Sequence, residues 1–308
     1  MLPSIRMGVD IGGTKIAAIA LDAKTGQALK QSKIATPDGY DSLLSRLSEL
    51  VASYEAELGP VTFGMCYPGS VNHDSLLVQN ANILWLNDKP FEQDLAKALH
   101  KVIRTGNDAN CFTLSEAIDG AGCGHSVVFG ATLGTGLGGG IVIDQKILVG
   151  LNKLSGEWGH VPLPWPTERE ISGPECYCGL KGCLETYLSG TGLARSYRHV
   201  TGKDIRAEEV VKLANNGDAE AEAALSRYEN RMARACAMII NILDPDVIVL
   251  GGGLSALKRL YTNIPKQWDQ YVFSPQKIKT QLVQAQHGGE SGMRGAAMLW
   301  SEPAAENP

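Results

Sequence analysis

The stretch Asp10-Ile-Gly-Gly-Thr-Lys15 lies between two short apolar runs, Ile5–Asp10 and Ile16–Leu21, near the start of the 308-residue chain. Short apolar runs that are bounded by glycine are typical of buried strands. The pattern therefore predicts a strand, a tight turn and a returning strand, with Lys24-Thr25-Gly26 turning the chain into a third. The turn is not a Walker A loop, because the segment after Lys15 reads as a strand rather than a helix.

The same arrangement returns in the second half of the chain. Ser126–Leu133 reads as a strand, Gly134-Thr-Gly-Leu-Gly-Gly139 as a turn, and Gly140–Asp144 as a returning strand. Downstream of the first hairpin, helical and strand-like segments alternate and complete a β-β-β-α-β-α-β-α order. We therefore predict an α/β fold of two similar halves, with a last helix at about Gly292–Trp300 that packs back on the first half.

Composition narrows the classes of protein that fit. Hydrophobic residues make up 44% and charged residues 20% of the chain, as in globular proteins. The formal net charge of −5 argues against nucleic acid or an anionic membrane as the main partner. There is no apolar run of about 18 residues and no signal-peptide layout at the N-terminus. We expect a soluble, cytoplasmic protein.

The two glycine turns are candidate phosphate contacts. Glycine lets backbone N–H groups approach an anion, and Thr14 and Lys15 add a hydroxyl and a positive charge. Two such turns in matching places could hold one triphosphate between them. Gly251–Gly253, after a buried strand, could contact adenine or ribose. Ordinary hairpin turns and a plain strand-to-helix turn are the alternatives.

The tetrapeptide Asn107-Asp-Ala-Asn110 stands where a strand gives way to a helix. Asn and Asp are preferred helix caps, so capping explains the motif without any chemistry. The carboxyl ends of strands are also where open α/β folds place ligands, and Asp108 could accept a proton from a substrate hydroxyl there. The residues alone leave both interpretations open.

Three cysteines, Cys176, Cys178 and Cys183, lie within eight residues in a glycine-rich loop. Clustered thiols of this kind suit a tetrahedral zinc site, for which His160 is the nearest upstream fourth ligand. Free thiols or a redox pair are the alternatives. The remaining cysteines are expected to be small buried hydrophobic residues: Cys66, Cys111, Cys123 and Cys236.

Two glutamates flank this cluster. Glu157 precedes His160 by three residues, and Glu185 follows Cys183 by two. A zinc ion that joins the two segments would bring both carboxylates together, and paired acidic acceptors suit a polyhydroxylated sugar. Without the metal, solvated surface glutamates would be the simpler interpretation.

Taken together, these motifs resemble the ROK family of sugar kinases and repressors, and they occur in the family's order over nearly the whole chain. The motifs are Asp10–Lys15, Asn107–Asn110, Leu133–Gly136, Glu157-Trp-Gly-His160 and Cys176–Glu185. The cysteine motif with its flanking acids is the specific part, since the wider actin and hexokinase superfamily shares the glycine turns.

The resemblance implies an α/β, actin-like (ribonuclease H-like) bilobal fold with ATP in the cleft between two similar halves. Residues 1–120 with 293–308 would form a small lobe, and 121–292 a larger lobe with the zinc-binding loop. It also implies Mg²⁺, Zn²⁺ and a hexose substrate.

The resemblance assigns roles residue by residue. Asp108 would be the catalytic base. The nucleotide and its magnesium would contact Asp10, Gly12, Gly13, Thr14, Lys15, Gly134, Thr135, Gly136 and Gly252. The sugar would contact Asn82, Asn107, Glu157, His160 and Glu185. Zinc would be held by His160, Cys176, Cys178 and Cys183.

Within the family, the stretches Asn80–Asn87, Pro162–Trp165 and Asn241–Gly253 look most like bacterial fructokinases of the manno(fructo)kinase type. We therefore expect fructose as the acceptor, phosphorylated at its 6-hydroxyl, with N-acetylglucosamine kinase or glucokinase as the alternative. Leu84 or Trp85 would fill the space that an acetamido group needs. The other possibility is that Trp85 only anchors a loop on the first lobe.

Two other classes of protein fit part of the pattern. Repressors of the family carry an N-terminal helix-turn-helix domain, but here the nucleotide motif begins after nine residues, and the charge of −5 disfavours DNA. A chaperone-like or filament-forming ATPase would not need the zinc cluster and its acids. The sequence leaves the oligomeric state open, with a homodimer compatible with it.

Overall fold

The computed structural model describes residues 2–72, 74–81 and 83–301. The strands are β1 (Ile5–Ile11), β2 (Lys15–Asp22), β3 (Ala28–Ala35), β4 (Val61–Tyr67), β5 (Ser70–Val71), β6 (Val78–Gln79), β7 (Ile103–Asn107), β8 (Val127–Leu133), β9 (Leu137–Ile143), β10 (Lys146–Ile147), β11 (Val247–Gly251) and β12 (Gln281–Gln284). The helices are α1 (Tyr40–Leu58), α2 (Phe91–Leu99), α3 (Asp108–Asp119), α4 (Glu185–Leu188), α5 (Gly190–Thr201), α6 (Ala207–Asn215), α7 (Ala219–Leu243), α8 (Lys258–Asn263), α9 (Pro265–Trp268) and α10 (Ser291–Met298).

The two halves have the same sheet topology. The strand order is β3-β2-β1-β4-β7 in the first sheet and β10-β9-β8-β11-β12 in the second. In each, the first three strands form an antiparallel meander, and the last two run parallel to the first. The predicted pair of β-β-β-α-β-α-β-α halves is confirmed, together with the bilobal α/β fold.

The final helices of the two halves lie between the sheets. Helix α10 packs on β1 and β4, as predicted for the last helix, and α3 packs on β8 and β9. Their apolar side chains share one buried cluster with residues of both sheets, including Ile19 and Val249. Helix α10 comes so close to β4 that a Cβ added at Gly64 would lie 1.9 Å from the backbone oxygen of Ala296.

Several local expectations need correction. Strand β9 begins at Leu137 rather than at Gly140, because the glycines 138–140 pair fully with β8. Cys123 is exposed, whereas Cys66, Cys111 and Cys236 are buried as expected. None of the helices within the described ranges combines the length and the hydrophobicity that a membrane span requires.

Candidate active site

The first sheet brings the Asp10 and Asp108 segments to one edge. Strands β1, β4 and β7 are parallel, with Asp10 paired to Cys66 and Tyr67 paired to Asn107. Asn107 caps α3, since its side chain accepts hydrogen bonds from the N–H groups of Ala109 at 2.9 Å and Asn110 at 3.4 Å. The capping interpretation is therefore correct, and it leaves Asp108 as the first residue of the helix, with a solvent-accessible side chain.

Both carboxylates have raised pKa values. Burial and then the charge of Asp108 raise the pKa of Asp10 to about 6, while the Cys66 thiol and Lys15 act in the opposite direction. The Asp108 side chain is in contact with solvent, yet the surrounding protein desolvates it enough to raise its pKa as well. Two carboxylates that repel each other in a desolvated place favour a cation or a proton between them.

The first glycine turn closes the β1–β2 hairpin. The N–H of Gly12 donates to the Lys15 carbonyl at 2.9 Å, and the Thr36 hydroxyl donates to the Gly12 carbonyl at 2.6 Å. Gly13, Thr14 and Lys15 are exposed. The Thr36 hydrogen bond thus fixes the base of the turn, and the tip of the turn is open to solvent.

The second glycine turn closes the matching β8–β9 hairpin. The N–H of Gly190, at the start of α5, donates to the Gly134 carbonyl at 2.8 Å, and the Thr191 hydroxyl donates to the Thr135 carbonyl at 3.1 Å. Gly252 has φ 81°, and a Cβ there would lie 2.6 Å from the Leu133 backbone. Only glycine therefore lets the end of β11 approach this turn.

A cavity of about 1090 Å³ adjoins the second turn. Gly134 and Thr135 line it with residues of α5, α6 and the turn after β11, where Gly253 rather than Gly252 forms the wall. Its wall mixes apolar groups, such as Ile205 and Leu254, with charged side chains of both signs, which include Arg195, Lys212, Asp204, Glu208 and Glu209. Residues Gly12–Lys15 of the first turn do not line this cavity. Its size and composition suit a nucleoside with attached phosphates.

The predicted zinc ligands come together. One ligand atom from each of His160, Cys176, Cys178 and Cys183 lies within 4.8 Å of all the others. The Sγ atoms of Cys178 and Cys183 are 3.7 Å apart, and Cys176 Sγ is 3.6 Å from His160 Nδ1. Tetrahedral zinc with ordinary Zn–S and Zn–N bonds requires separations of about 3.8 Å and 3.6 Å. The donor set and its spacing therefore fit zinc.

The two flanking acids reach the same region from different elements. The Glu185 carboxylate accepts a hydrogen bond from the N–H of Leu137 at 3.2 Å, which joins α4 to the second glycine turn. Burial, followed by the charges of Asp108 and Glu185 and opposed by His160, raises the pKa of Glu157. Glu157 thus lies near enough to Asp108 and to Glu185 for the charges of both to act on it.

A smaller cavity of about 340 Å³ lies beside Asn107, where Gly69, Ser70 and Asn110 also line it.

Asn82, a predicted sugar contact, lies outside the described residues. Leu84 is 79% exposed. Trp85 packs against the apolar cluster of the first half. Trp85 therefore anchors its loop on the first apolar cluster, as the alternative held. That Leu84 or Trp85 fills the space of an acetamido group stays a prediction.

The sequence analysis did not find the ion pairs that join the segment before the cysteines to α7. Glu170, in the irregular segment before the cysteines, pairs with Arg234 at 2.9 Å and Arg231 at 2.7 Å on α7. Burial opposes the ionised form, but the hydrogen bonds from Arg234, Thr167 and Arg231 lower the pKa of Glu170 to about 2. The partners on α7 are more than 60 positions away, so no local motif could have shown the pair.

Comparisons with known proteins place the chain in a family. The ROK family profile matches residues 6–303. The N-acetyl-D-glucosamine kinase of Escherichia coli O127:H6 is 37% identical over 299 residues, covering 95% of this chain and 98% of the relative. The enzyme of the same name from Vibrio parahaemolyticus is also 37% identical, with the same coverage.

Solved structures of ROK family proteins superimpose on nearly the whole chain. A ROK hexokinase from Thermus thermophilus superimposes with a TM-score of 0.85 at 30% identity, covering 96% of this chain and 97% of that one. A ROK family glucokinase from Streptomyces griseus, in complex with glucose and AMPPNP, gives 0.75 at 30% identity, with 96% and 98% covered.

This chain belongs to the ROK family. The prediction of an ATP-dependent sugar kinase is confirmed at this level, and the fold is the one that the resemblance implied. The two kinases that are 37% identical to this chain are N-acetyl-D-glucosamine kinases and not fructokinases. The comparisons therefore support the alternative acceptor better than fructose.

Proposed function

We propose that this protein transfers the γ-phosphoryl group of ATP to the 6-hydroxyl of a hexose, with N-acetyl-D-glucosamine as the favoured acceptor. The observation that carries the acceptor is 37% identity with N-acetyl-D-glucosamine kinases over nearly the full length of both chains.

Asp108 is the proposed base. Its side chain is solvent-accessible at the start of α3, and its raised pKa gives it more proton affinity than an ordinary aspartate. It would accept the proton of the 6-hydroxyl as that oxygen attacks the γ-phosphorus. Asn107, Glu157 and Glu185 would hold the other hydroxyls, and Asn82 remains a prediction in this role.

The nucleotide is proposed to occupy the 1090 Å³ cavity, with Gly134 and Thr135, which line it, toward its phosphates. Gly12–Lys15, Gly136 and Gly252 remain predicted contacts from the resemblance. Asp10 would hold magnesium, and the repulsion between Asp10 and Asp108 supports a cation there. The metal, when bound, supplies positive charge for the phosphate oxygens.

Zinc is proposed to be structural. His160, Cys176, Cys178 and Cys183 would fill four positions and leave none for water. The ion would hold the segment of Glu157 against that of Glu185. The proposed lobes are residues 1–120 with 293–308, and residues 121–292.

A coupled assay of ADP release tests the proposal. N-acetyl-D-glucosamine, glucose, mannose and fructose should be compared at equal concentrations, and N-acetyl-D-glucosamine should give the highest kcat/KM. Asp108→Asn should lower kcat by at least about a hundredfold, whereas Asp269→Asn, an exposed aspartate outside the site, should not. Sugar-independent ADP release, or near-normal turnover of folded Asp108→Asn, would contradict the assignment.

Fructose is the second candidate, because the stretches Asn80–Asn87 and Pro162–Trp165 resemble fructokinases. The same panel separates the two. A higher kcat/KM for fructose would replace the acceptor and leave the kinase assignment intact.

A further inference from the structure

A buried carboxylate joins α3, the helix of the proposed base, to the beginning of α10. Glu116 on α3 is fully buried. Its carboxylate accepts four hydrogen bonds, from the N–H groups of Ala121 at 2.9 Å, Gln286 at 2.9 Å and His287 at 3.0 Å, and from the Ser291 hydroxyl at 2.8 Å. Buried carboxylates need such partners. Three of these donors lie in the segment that leads into α10, so Glu116 holds the first turn of α10 on α3.

Helix α10 also makes close backbone contacts on two sides. A Cβ added at Gly295 would lie 1.7 Å from the Cys111 carbonyl oxygen on α3, and one at Gly8 on β1 would lie 1.9 Å from the Met293 carbonyl oxygen. These contacts set how closely α10 approaches both elements. The hydrogen bonds of Glu116 are directional, so they also define the position of the first turn.

This first turn lies against the carboxylate of Asp10. A Cβ added at Gly292 would lie 2.7 Å from Asp10 Oδ2, so a residue without a Cβ permits the contact. Cys66, which pairs with Asp10 in the sheet, donates from its Sγ to the Gly292 carbonyl at 3.4 Å. Ser291, the neighbour of Gly292, is bonded to Glu116. A shift of this turn would therefore change the surroundings of the Asp10 carboxylate.

We propose that Glu116 is a positioning residue for Asp10: through Ser291 it holds Gly292 against the Asp10 carboxylate, and so fixes the orientation in which this carboxylate meets magnesium. Small displacements of such a group are costly, because phosphoryl transfer depends on the alignment of the reacting groups. The inference rests on the proposed function, in which Asp10 holds the metal. It extends the site to a residue outside every motif of the sequence analysis.

Ser291→Ala tests this, since it removes the hydroxyl bond to Glu116 and leaves the three backbone donors in place. The Mg²⁺ concentration that gives half-maximal activity should rise by about three- to thirtyfold, whereas the calorimetric Kd for N-acetyl-D-glucosamine should stay within about twofold. Glu116→Gln should raise the Mg²⁺ requirement further, because its amide NH₂ group cannot accept and would face two of the donors.

Thr280→Val is the matched control. Thr280 is also buried, and its hydroxyl donates to the Pro245 carbonyl at 2.8 Å, in the second half of the chain. The variant loses the same kind of hydrogen bond, so it should destabilise the protein without changing the Mg²⁺ requirement. Equal losses of Mg²⁺ and sugar affinity in Ser291→Ala would indicate a general loosening of the fold and would overturn the inference.

A double-mutant cycle gives a second readout, which needs no catalysis. Asp10→Asn removes the charge against which the first turn of α10 lies. Its effect on the stability to urea at pH 7.5 should be smaller in the Ser291→Ala background than in the wild type, and unchanged in Thr280→Val. An additive cycle with Ser291→Ala, or an unchanged Mg²⁺ requirement, overturns the inference. If the wild-type protein phosphorylates no hexose, the proposed function fails, and the cycle still tests the contact between Asp10 and α10.

Discussion

Replacing Asp10 with Asn should stabilise the fold while it abolishes phosphoryl transfer. Asp10 lies half-buried on β1, where burial and the charge of Asp108 raise its pKa to about 6 from 3.8. Above pH 6 the folded protein must therefore hold an ionised carboxylate that its surroundings disfavour. A pKa difference of this size corresponds to at most about 3 kcal/mol, and an amide of nearly the same shape removes that cost.

The pH dependence has a definite sign. An acid whose pKa is higher in the folded state favours folding at low pH, and this contribution is lost as pH rises through the folded pKa. The gain from Asp10→Asn should thus be near zero at pH 4 and reach about 2–3 kcal/mol at pH 7.5. Urea denaturation at both pH values, in buffer without magnesium and nucleotide, measures the difference.

Asp22 provides a control of opposite sign on the same hairpin. Its carboxylate accepts hydrogen bonds from the N–H groups of Lys24 and Thr25 and from the Thr25 hydroxyl, and these lower its pKa. Asp22→Asn should therefore destabilise the protein at pH 7.5. A loss of stability in Asp10→Asn at pH 7.5, or an equal gain at both pH values, would refute the electrostatic argument.

Three further results are expected. Cys178→Ser, or chelation of the metal, should weaken sugar binding far more than nucleotide binding in calorimetric titrations. Cys123→Ser, which changes an exposed cysteine outside the cluster, should alter neither affinity. Equal losses of affinity for both ligands would contradict this prediction. Glu170→Gln should lower the unfolding free energy by about 3 kcal/mol at pH 7, and the difference should shrink as pH falls from about 4.5 toward 2, because the folded pKa is depressed. A pH-independent loss would argue against the ion pairs. Gly64→Ala should lower the free energy of unfolding, measured by urea denaturation, by about 3 kcal/mol, since its Cβ would meet the backbone of α10. Gly289→Ala, with open space around it, should be nearly neutral. Similar effects of the two substitutions would show that close packing is not the cause.

The sequence predicted what short-range patterns determine. The two strand–turn–strand units contain apolar runs broken by glycine, and both appear at the expected places. Strand β12 was missed because it is an edge strand whose side chains are mostly accessible, so it has no apolar run. Helix α5 was missed because it opens with Gly190-Thr-Gly, which reads as a turn until Ser189 is seen to cap it.

The candidate site also contains features that local sequence patterns predict and features that depend on tertiary packing. The zinc ligands follow a local cysteine spacing, with His160 found from its motif, and they converge as predicted. The side to which Trp85 turns depends on packing against the first apolar cluster, and the local sequence fits either side. The Glu170–Arg234 pair joins segments far apart in the chain, and only the folded protein brings them together.

The position of α3 links the duplicated fold to the chemistry. Asp108 belongs to the first half in sequence, yet its helix packs on β8 and β9 of the second half, where a Cβ at Gly130 or Gly140 would lie 2.1 Å or 2.4 Å from the Thr113 hydroxyl. Asp10 lies near the end of β1, and Asp108 directly follows β7, so both carboxylates stand at one edge of the first sheet. Helix α3 thus joins this edge to the second sheet, and the charge of Asp108 acts on Asp10 from the end of that helix.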